Sequence, residues 1–138
     1  MELLKKIHAK VKRNGYITFD EYMDMCLYYP NLGYYNNKDI SLDPRNSDFI
    51  TGPEISSIFT DSIRDFYTSC KNNIKIDYIV EFGAGSGELA YNFLKGLDGT
   101  DLPKKYFIIE KSEQLKKQQK EKIRKLPENL AKNVEWIS

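Results

Sequence analysis

The sequence has two cysteines, Cys26 and Cys70, and one histidine, His8, in 138 residues. The cysteines lie far apart, in segments that read as helices, so neither a disulfide framework nor a Cys/His metal site can be assembled from them. Reduced thiols in a reducing compartment fit that usage. No apolar run approaches the ~20 residues needed to cross a bilayer, and no signal-peptide core is visible. Residues 1–13 are Lys-rich, but Leu3, Leu4, Ile7 and Val11 suit an ordinary docking helix better than a mitochondrial presequence. An excess of one charge is also missing. With 21 Lys+Arg against 20 Asp+Glu, global electrostatics gives no reason to expect nucleic acid.

What is present is a globular composition, 41% hydrophobic and 13% aromatic, of a length that supports one core. Residues 3–13 read as a helix stopped by Asn14-Gly15. Thr18-Phe-Asp-Glu21 is a capping box opening a second helix to about Tyr28, and Pro30 ends it. Residues 31–51 have no sustained period, but Tyr28, Tyr29, Tyr34, Tyr35 and Phe49 interleave with Gly33, Asn36, Asn37, Asp43 and Pro44. A loop that long is functional or disordered, and the aromatics argue for order. Gly52-Pro53-Glu54 opens a third helix, whose stripe of Ile55, Ile58, Phe59, Ile63, Phe66 and Tyr67 is expected to be core.

From residue 76 the rhythm changes. Residues 76–82 read as a buried strand, 88–97 as a helix, 106–110 as a second strand, and 134–137 as a third. Between the last two, Ser112 caps a basic helix that Pro127 terminates. Residues 111–125 hold seven Lys/Arg against two Glu, with only Leu115, Ile123 and Leu126 as a buried stripe. No aromatic interleaves with that charge, so a solvated outer helix is expected rather than a nucleic-acid surface. Alternating strands and helices begin a parallel α/β sheet.

The chemistry-bearing string is Glu81-Phe-Gly83-Ala-Gly85-Ser-Gly87, placed where a strand turns into a helix. Glycines there let a ligand approach the backbone closely, and the helix start supplies unpaired N–H groups. The dinucleotide fingerprint needs Gly-x-Gly-x-x-Gly, whose third glycine would fall on Glu88, so the spacing points away from NAD. Glu81 can hold the glycine turn or a cationic amine, and Glu110, after the second strand, can accept both hydroxyls of a ribose. This motif pair is similar to that of class I S-adenosylmethionine (SAM) methyltransferases; a glycine-rich turn in an unrelated α/β protein is the alternative.

Four strings occur in order: Ile17-Thr-Phe-Asp-Glu-Tyr-Met23, Asn31-Leu-Gly-Tyr-Tyr35, Asp48-Phe-Ile-Thr-Gly-Pro-Glu-Ile-Ser56 and Val80-Glu-Phe-Gly-Ala-Gly-Ser-Gly87. With Glu110-Lys-Ser-Glu-Gln-Leu115, they resemble the amino-terminal part of the mitochondrial dysfunction protein A family. Its eukaryotic members include the protein-arginine methyltransferase that assists assembly of respiratory complex I. The resemblance implies a Rossmann-like class I methyltransferase fold with an incomplete parallel sheet. Residues 1–73 would form a helical cap and aromatic loop, and residues 74–138 the first half of the SAM-binding domain. It implies that Gly83, Gly85 and Gly87 contact the methionine part of SAM and Glu110 its ribose. Residues 48–54 would lie over the pocket, with Thr51 and Pro53 at its polar end.

The residues themselves suggest that the first turn of the Pro53 helix offers free N–H groups to the cofactor carboxylate. Glu54 either orients a cationic substrate as a catalytic acid or merely complements the helix dipole. Tyr34 and Tyr35 either pack the loop or line the substrate entrance. Family members continue well past this length, so the sheet is expected to expose an apolar edge open to self-association or a partner chain. The implied substrate is protein, with a respiratory complex I subunit as the candidate the resemblance implies. The setting is the mitochondrial matrix in a eukaryote or the cytoplasm in a bacterium. A non-catalytic assembly module on a truncated methyltransferase fold is the competing reading, and a nucleotide- or NAD-binding protein the third. No metal or membrane insertion is expected.

Overall fold

The computed structural model describes residues 2–37, 40, 48 and 50–137. Asp43, Pro44 and Phe49 of the expected aromatic loop lie outside the described residues, as does Ser138. The first helix, α1 (Glu2–Asn14), stops at Gly15, which takes a φ of 82° and returns its N–H to the Val11 carbonyl at 2.7 Å. The expected capping box starts α2 (Phe19–Tyr28): Glu21 accepts the Thr18 N–H at 3.1 Å, and Lys10 pairs with Glu21 at 2.7 Å, tying α1 to α2. A 3₁₀ turn (Tyr34–Asn36) then folds back onto the end of α2, where Asn36 Nδ2 donates to the Tyr28 carbonyl at 2.6 Å. Gly33 permits this return, because a Cβ there would sit 2.4 Å from the Tyr29 nitrogen.

The third helix is broken where one continuous helix was expected. A short α3 (Gly52–Ile55) ends at Ser56, whose φ of −157° and ψ of 142° interrupt the helix before α4 (Ser57–Lys71). The Ser56 hydroxyl oxygen accepts the Ile58 N–H at 3.2 Å, so the break doubles as the cap of α4. It also resets the helical phase. The face turned inward runs Thr60, Ile63 and Tyr67, while Ile55, Ile58 and Phe66 are 70%, 72% and 72% exposed. The expectation that the whole stripe is core is therefore corrected.

The sheet consists of β1 (Tyr78–Phe82), β2 (Lys105–Ile109) and β3 (Val134–Ile137), all parallel and in that order. Helix α5 (Glu88–Lys95) joins β1 to β2, and α6 (Glu113–Ile123) followed by the short α7 (Glu128–Ala131) joins β2 to β3. The core lies on one face of the sheet: Tyr106, Ile108 and Val134 pack with Ala90, Phe93 and Leu94 of α5, Ile123 of α6, and Tyr67 of α4. The Tyr67 and Phe93 rings meet edge-on at 5.3 Å. On the other face Tyr78, Val80 and Phe82 remain exposed, although both faces of a parallel sheet are ordinarily covered.

This asymmetry predicts unequal costs of truncation. Phe93→Ala lowers the unfolding free energy by about 3–5 kcal/mol, the usual cost of emptying a buried aromatic site, whereas Phe66→Ala costs under about 1 kcal/mol. Urea denaturation of the two variants checks the order; equal losses would contradict this placement of the core.

Candidate functional site

The site forms where β1 and β2 end. The ladder continues one step past β1, with the Gly83 N–H donating to the Ile109 carbonyl at 2.9 Å, and the turn closes when the Gly87 N–H reaches the Ala84 carbonyl at 2.7 Å. Gly83, Gly85 and Gly87 have φ values of 64°, 53° and 79°, a region that strains L side chains. Their surroundings differ. A Cβ on Gly83 would meet nothing within 4 Å, whereas one on Gly87 would lie 3.4 Å from Gln119. Gly83 therefore forms an open cradle, whereas Gly87, held at positive φ, faces α6 at ordinary van der Waals distance.

Glu110 follows β2 directly and is only 6% exposed. Its Oε1 accepts the Ser112 N–H at 2.8 Å, and its Oε2 accepts Gln119 Nε2 at 3.0 Å. Each oxygen keeps a further lone pair for a ligand donor. Ser112 caps α6 by accepting the Leu115 N–H at 3.0 Å, and its hydroxyl donates to the Tyr35 carbonyl at 2.5 Å. That bond docks the aromatic loop onto the sheet. Lys111 strengthens the docking, ion-paired with Asp24 and lying 4.7 Å above the Tyr28 ring.

These contacts bring the sequence-predicted residues around two neighbouring cavities. One, of about 180 Å³, is lined by Tyr28, Tyr35, Thr51, Glu54, Gly83, Gly85, Glu110 and Leu115. The other, of about 290 Å³, shares Thr51, Gly83 and Gly85 and adds Pro53, Glu81, Ser86 and Glu88. Burial pushes the Glu81 carboxyl up to about 7; the Tyr106 hydroxyl, donating to it at 2.9 Å, opposes the shift, and neighbouring Glu110 adds to it. Burial, followed by the proximity of Glu81, also raises the Tyr106 phenol.

The first turn at Pro53 differs from expectation. Pro53 has no N–H, the Thr51 N–H is taken by Glu54 Oε2 at 2.9 Å, and the Glu54 and Ile55 N–H groups return to the Thr51 carbonyl at 3.0 and 3.2 Å. A four-residue helix closed by its own box leaves few donors for a carboxylate, so that reading is corrected. Glu54 Oε2 also accepts the Thr51 hydroxyl at 2.9 Å, and Glu54 still borders the smaller cavity. Tyr35 lines that cavity with Tyr28, while the Tyr34 hydroxyl donates to Asp48 at 2.7 Å.

Gln119 escaped the sequence reading, being counted among the polar residues of a solvated helix. It is fully buried. Its spacing carried the signal: with Leu115 and Ile123 it falls at i, i+4 and i+8 on the buried stripe of α6. Its role was hidden by its polarity.

The two cavities share Thr51, Gly83 and Gly85 and so form a two-part space. One lobe ends on a held, buried carboxylate and the other on Glu81, and an open glycine cradle joins them. Comparison with known proteins shows what the chain is similar to. Residues 62–138 match a family model described as "Putative S-adenosyl-L-methionine-dependent methyltransferase". The mitochondrial protein arginine methyltransferase NDUFAF7 homolog of Drosophila melanogaster is 39% identical over 98 residues, covering 69% of this chain and 22% of that protein. Its human counterpart is 34% identical over 96 residues, covering 67% and 21%. A Burkholderia thailandensis protein solved with S-adenosyl-homocysteine bound superposes with a TM-score of 0.82 at 30% identity, covering 99% of this chain and 37% of that one. The chain thus spans about a fifth of the length of these curated relatives.

The raised Glu81 carboxyl makes stability pH-dependent. The folded state holds this proton more tightly than the unfolded chain, so the contribution is full below about 4.5 and is lost as pH rises through about 7. Urea midpoints of the unliganded chain should fall across that window, and Glu81→Gln should flatten the fall. An unchanged slope in the variant would contradict the assignment.

Proposed function

The chain belongs to the S-adenosyl-L-methionine-dependent methyltransferase family, and from that premise we propose that it is the amino-terminal portion of an enzyme that methylates protein, on arginine. The cofactor of the family is SAM, and a structural relative holds its demethylated product. The observation that carries the reading is Glu110, a buried carboxylate with both oxygens oriented at the mouth of the glycine turn. In this reading Glu110 accepts the two ribose hydroxyls, and Gly83 and Gly85 run along the methionine part. Glu81 lies toward the ammonium end, and Thr51 and Pro53 close the space from above. Gly87 contributes the positive φ that closes the turn.

When bound, the cofactor supplies a methyl group activated on a sulfonium. Displacement at that carbon needs positioning and exclusion of water more than a nucleophilic side chain, which agrees with a site containing carboxylates and glycines. Residues 1–73 would then serve as the cap, because Tyr28, Tyr35, Thr51 and Glu54 furnish one wall of the smaller cavity. Glu54 is the residue of this chain we assign to a guanidinium, through the oxygen its capping box leaves unbonded among the described residues.

The names of the curated relatives support arginine as target and, for a eukaryotic source, a mitochondrial setting. A respiratory complex I subunit is the substrate implied by the sequence resemblance; in a bacterium the setting would be the cytoplasm. The open edge of the sheet at β1, beside the exposed Tyr78, Val80 and Phe82, is proposed to meet further polypeptide, from a second copy or a partner chain.

Calorimetric titration with SAM, S-adenosyl-homocysteine and NAD tests the cofactor assignment. The expected result is saturable binding of SAM or its product, lost in Gly85→Val, where a β-branched side chain would be forced to a φ of 53°. NAD binding without a response to either sulfur ligand would overturn the proposal. A folded chain that binds none of them would favour the assembly module.

A further inference from the structure

We propose that Gln119 is a positioning residue for ribose recognition: a side chain of α6 that fixes the Glu110 carboxylate and the glycine turn relative to each other. The inference rests on the cofactor reading above. Gln119 Nε2 uses its two hydrogens on Glu110 Oε2 and the Gly85 carbonyl, each at 3.0 Å, and its Oε1 accepts the Trp136 indole N–H at 2.9 Å. One fully buried amide thus joins the ends of β1 and β2 and the middle of β3.

The orientation of that amide is determined by its partners. Glu110 Oε2 and the Gly85 carbonyl are acceptors, and the Trp136 indole is only a donor. Turning the amide over would set oxygen against two acceptors and an NH₂ against an N–H, leaving the buried Glu110 oxygen and two part-buried groups without this partner. Trp136 therefore locks the amide, and the amide locks the carboxylate. Glu110 has one other hydrogen-bond donor among the described residues, the Ser112 N–H on Oε1. Ser112 alone would leave the carboxylate free to pivot about that oxygen. With Gln119 in place, the second oxygen is held as well, and the remaining lone pairs of both oxygens stay in the arrangement that a vicinal pair of hydroxyls requires. The same Nε2 holds Gly85, so the distance between the ribose end and the cradle is set by a residue that lines neither cavity.

A residue that merely held the fold would weaken every ligand equally, whereas one that orients Glu110 acts only on ligands with ribose hydroxyls. The test is calorimetry of the 138-residue chain with S-adenosyl-homocysteine and with its 2′,3′-dideoxy analogue. Gln119→Met should lower affinity for the first about tenfold and for the second less than twofold. Trp136→Phe, which removes the locking N–H and keeps Gln119, should give the same selectivity to a smaller extent, and it decides the question if the first variant does not fold. Parallel losses for both ligands, or no loss, would overturn the proposal. Failure of the unmodified chain to bind S-adenosyl-homocysteine would overturn the cofactor reading and this inference with it, and is distinguishable because it precedes any substitution.

Discussion

A carboxylate taken out of water at the end of a buried strand must find hydrogen-bond donors within the protein, because an unpaired buried charge costs several kcal/mol. Glu110 meets that requirement through the Ser112 N–H and the Gln119 amide, and much of the site follows from those two bonds. Ser112 is also the cap of α6, so the donor that satisfies Glu110 sits at the start of the helix that covers the sheet. Its hydroxyl reaches back to the Tyr35 carbonyl and anchors the segment that walls the smaller cavity. Gln119, nearly two turns further on, carries the same constraint to the glycine turn and to β3.

Much of this was legible in the sequence where one residue type answers one local requirement. The Thr18–Glu21 box, the glycines at positive φ and the acid after β2 are signals of that kind, and α2, the turn and Glu110 lie where they were expected. Signals that depend on what packs against what were harder to read. The stripe from Ile55 to Tyr67 suggested one helix because the apolar spacing is continuous, but Ser56 can cap as well as continue a helix, and the cap prevailed. The donors expected at Pro53 are taken by the Glu54 carboxylate and the Thr51 carbonyl, a competition that a linear sequence does not display. Gln119 looked like solvent-facing polarity until its three partners, from separate parts of the chain, converged on it.

Ligands of open α/β sheets bind beyond the carboxyl ends of the strands, and both cavities lie there, between the glycine turn and the amino-terminal helices. The uncovered face carrying Tyr78, Val80 and Phe82 is the other large asymmetry of the molecule. A parallel sheet gains from cover on both sides, and this chain corresponds to little more than a third of the solved relatives it superposes on. In the proposed reading, the cofactor-facing side of the site is carried by these residues: the acid, the cradle and the buried amide bonded to both.

The most direct test of the central claim is a crystal structure of this chain with S-adenosyl-homocysteine. The account predicts both ribose hydroxyls within about 3 Å of the Glu110 oxygens, with the amino-acid end passing Gly83 and Gly85 toward Glu81. A ligand bound elsewhere, or one whose ribose does not touch Glu110, would contradict it.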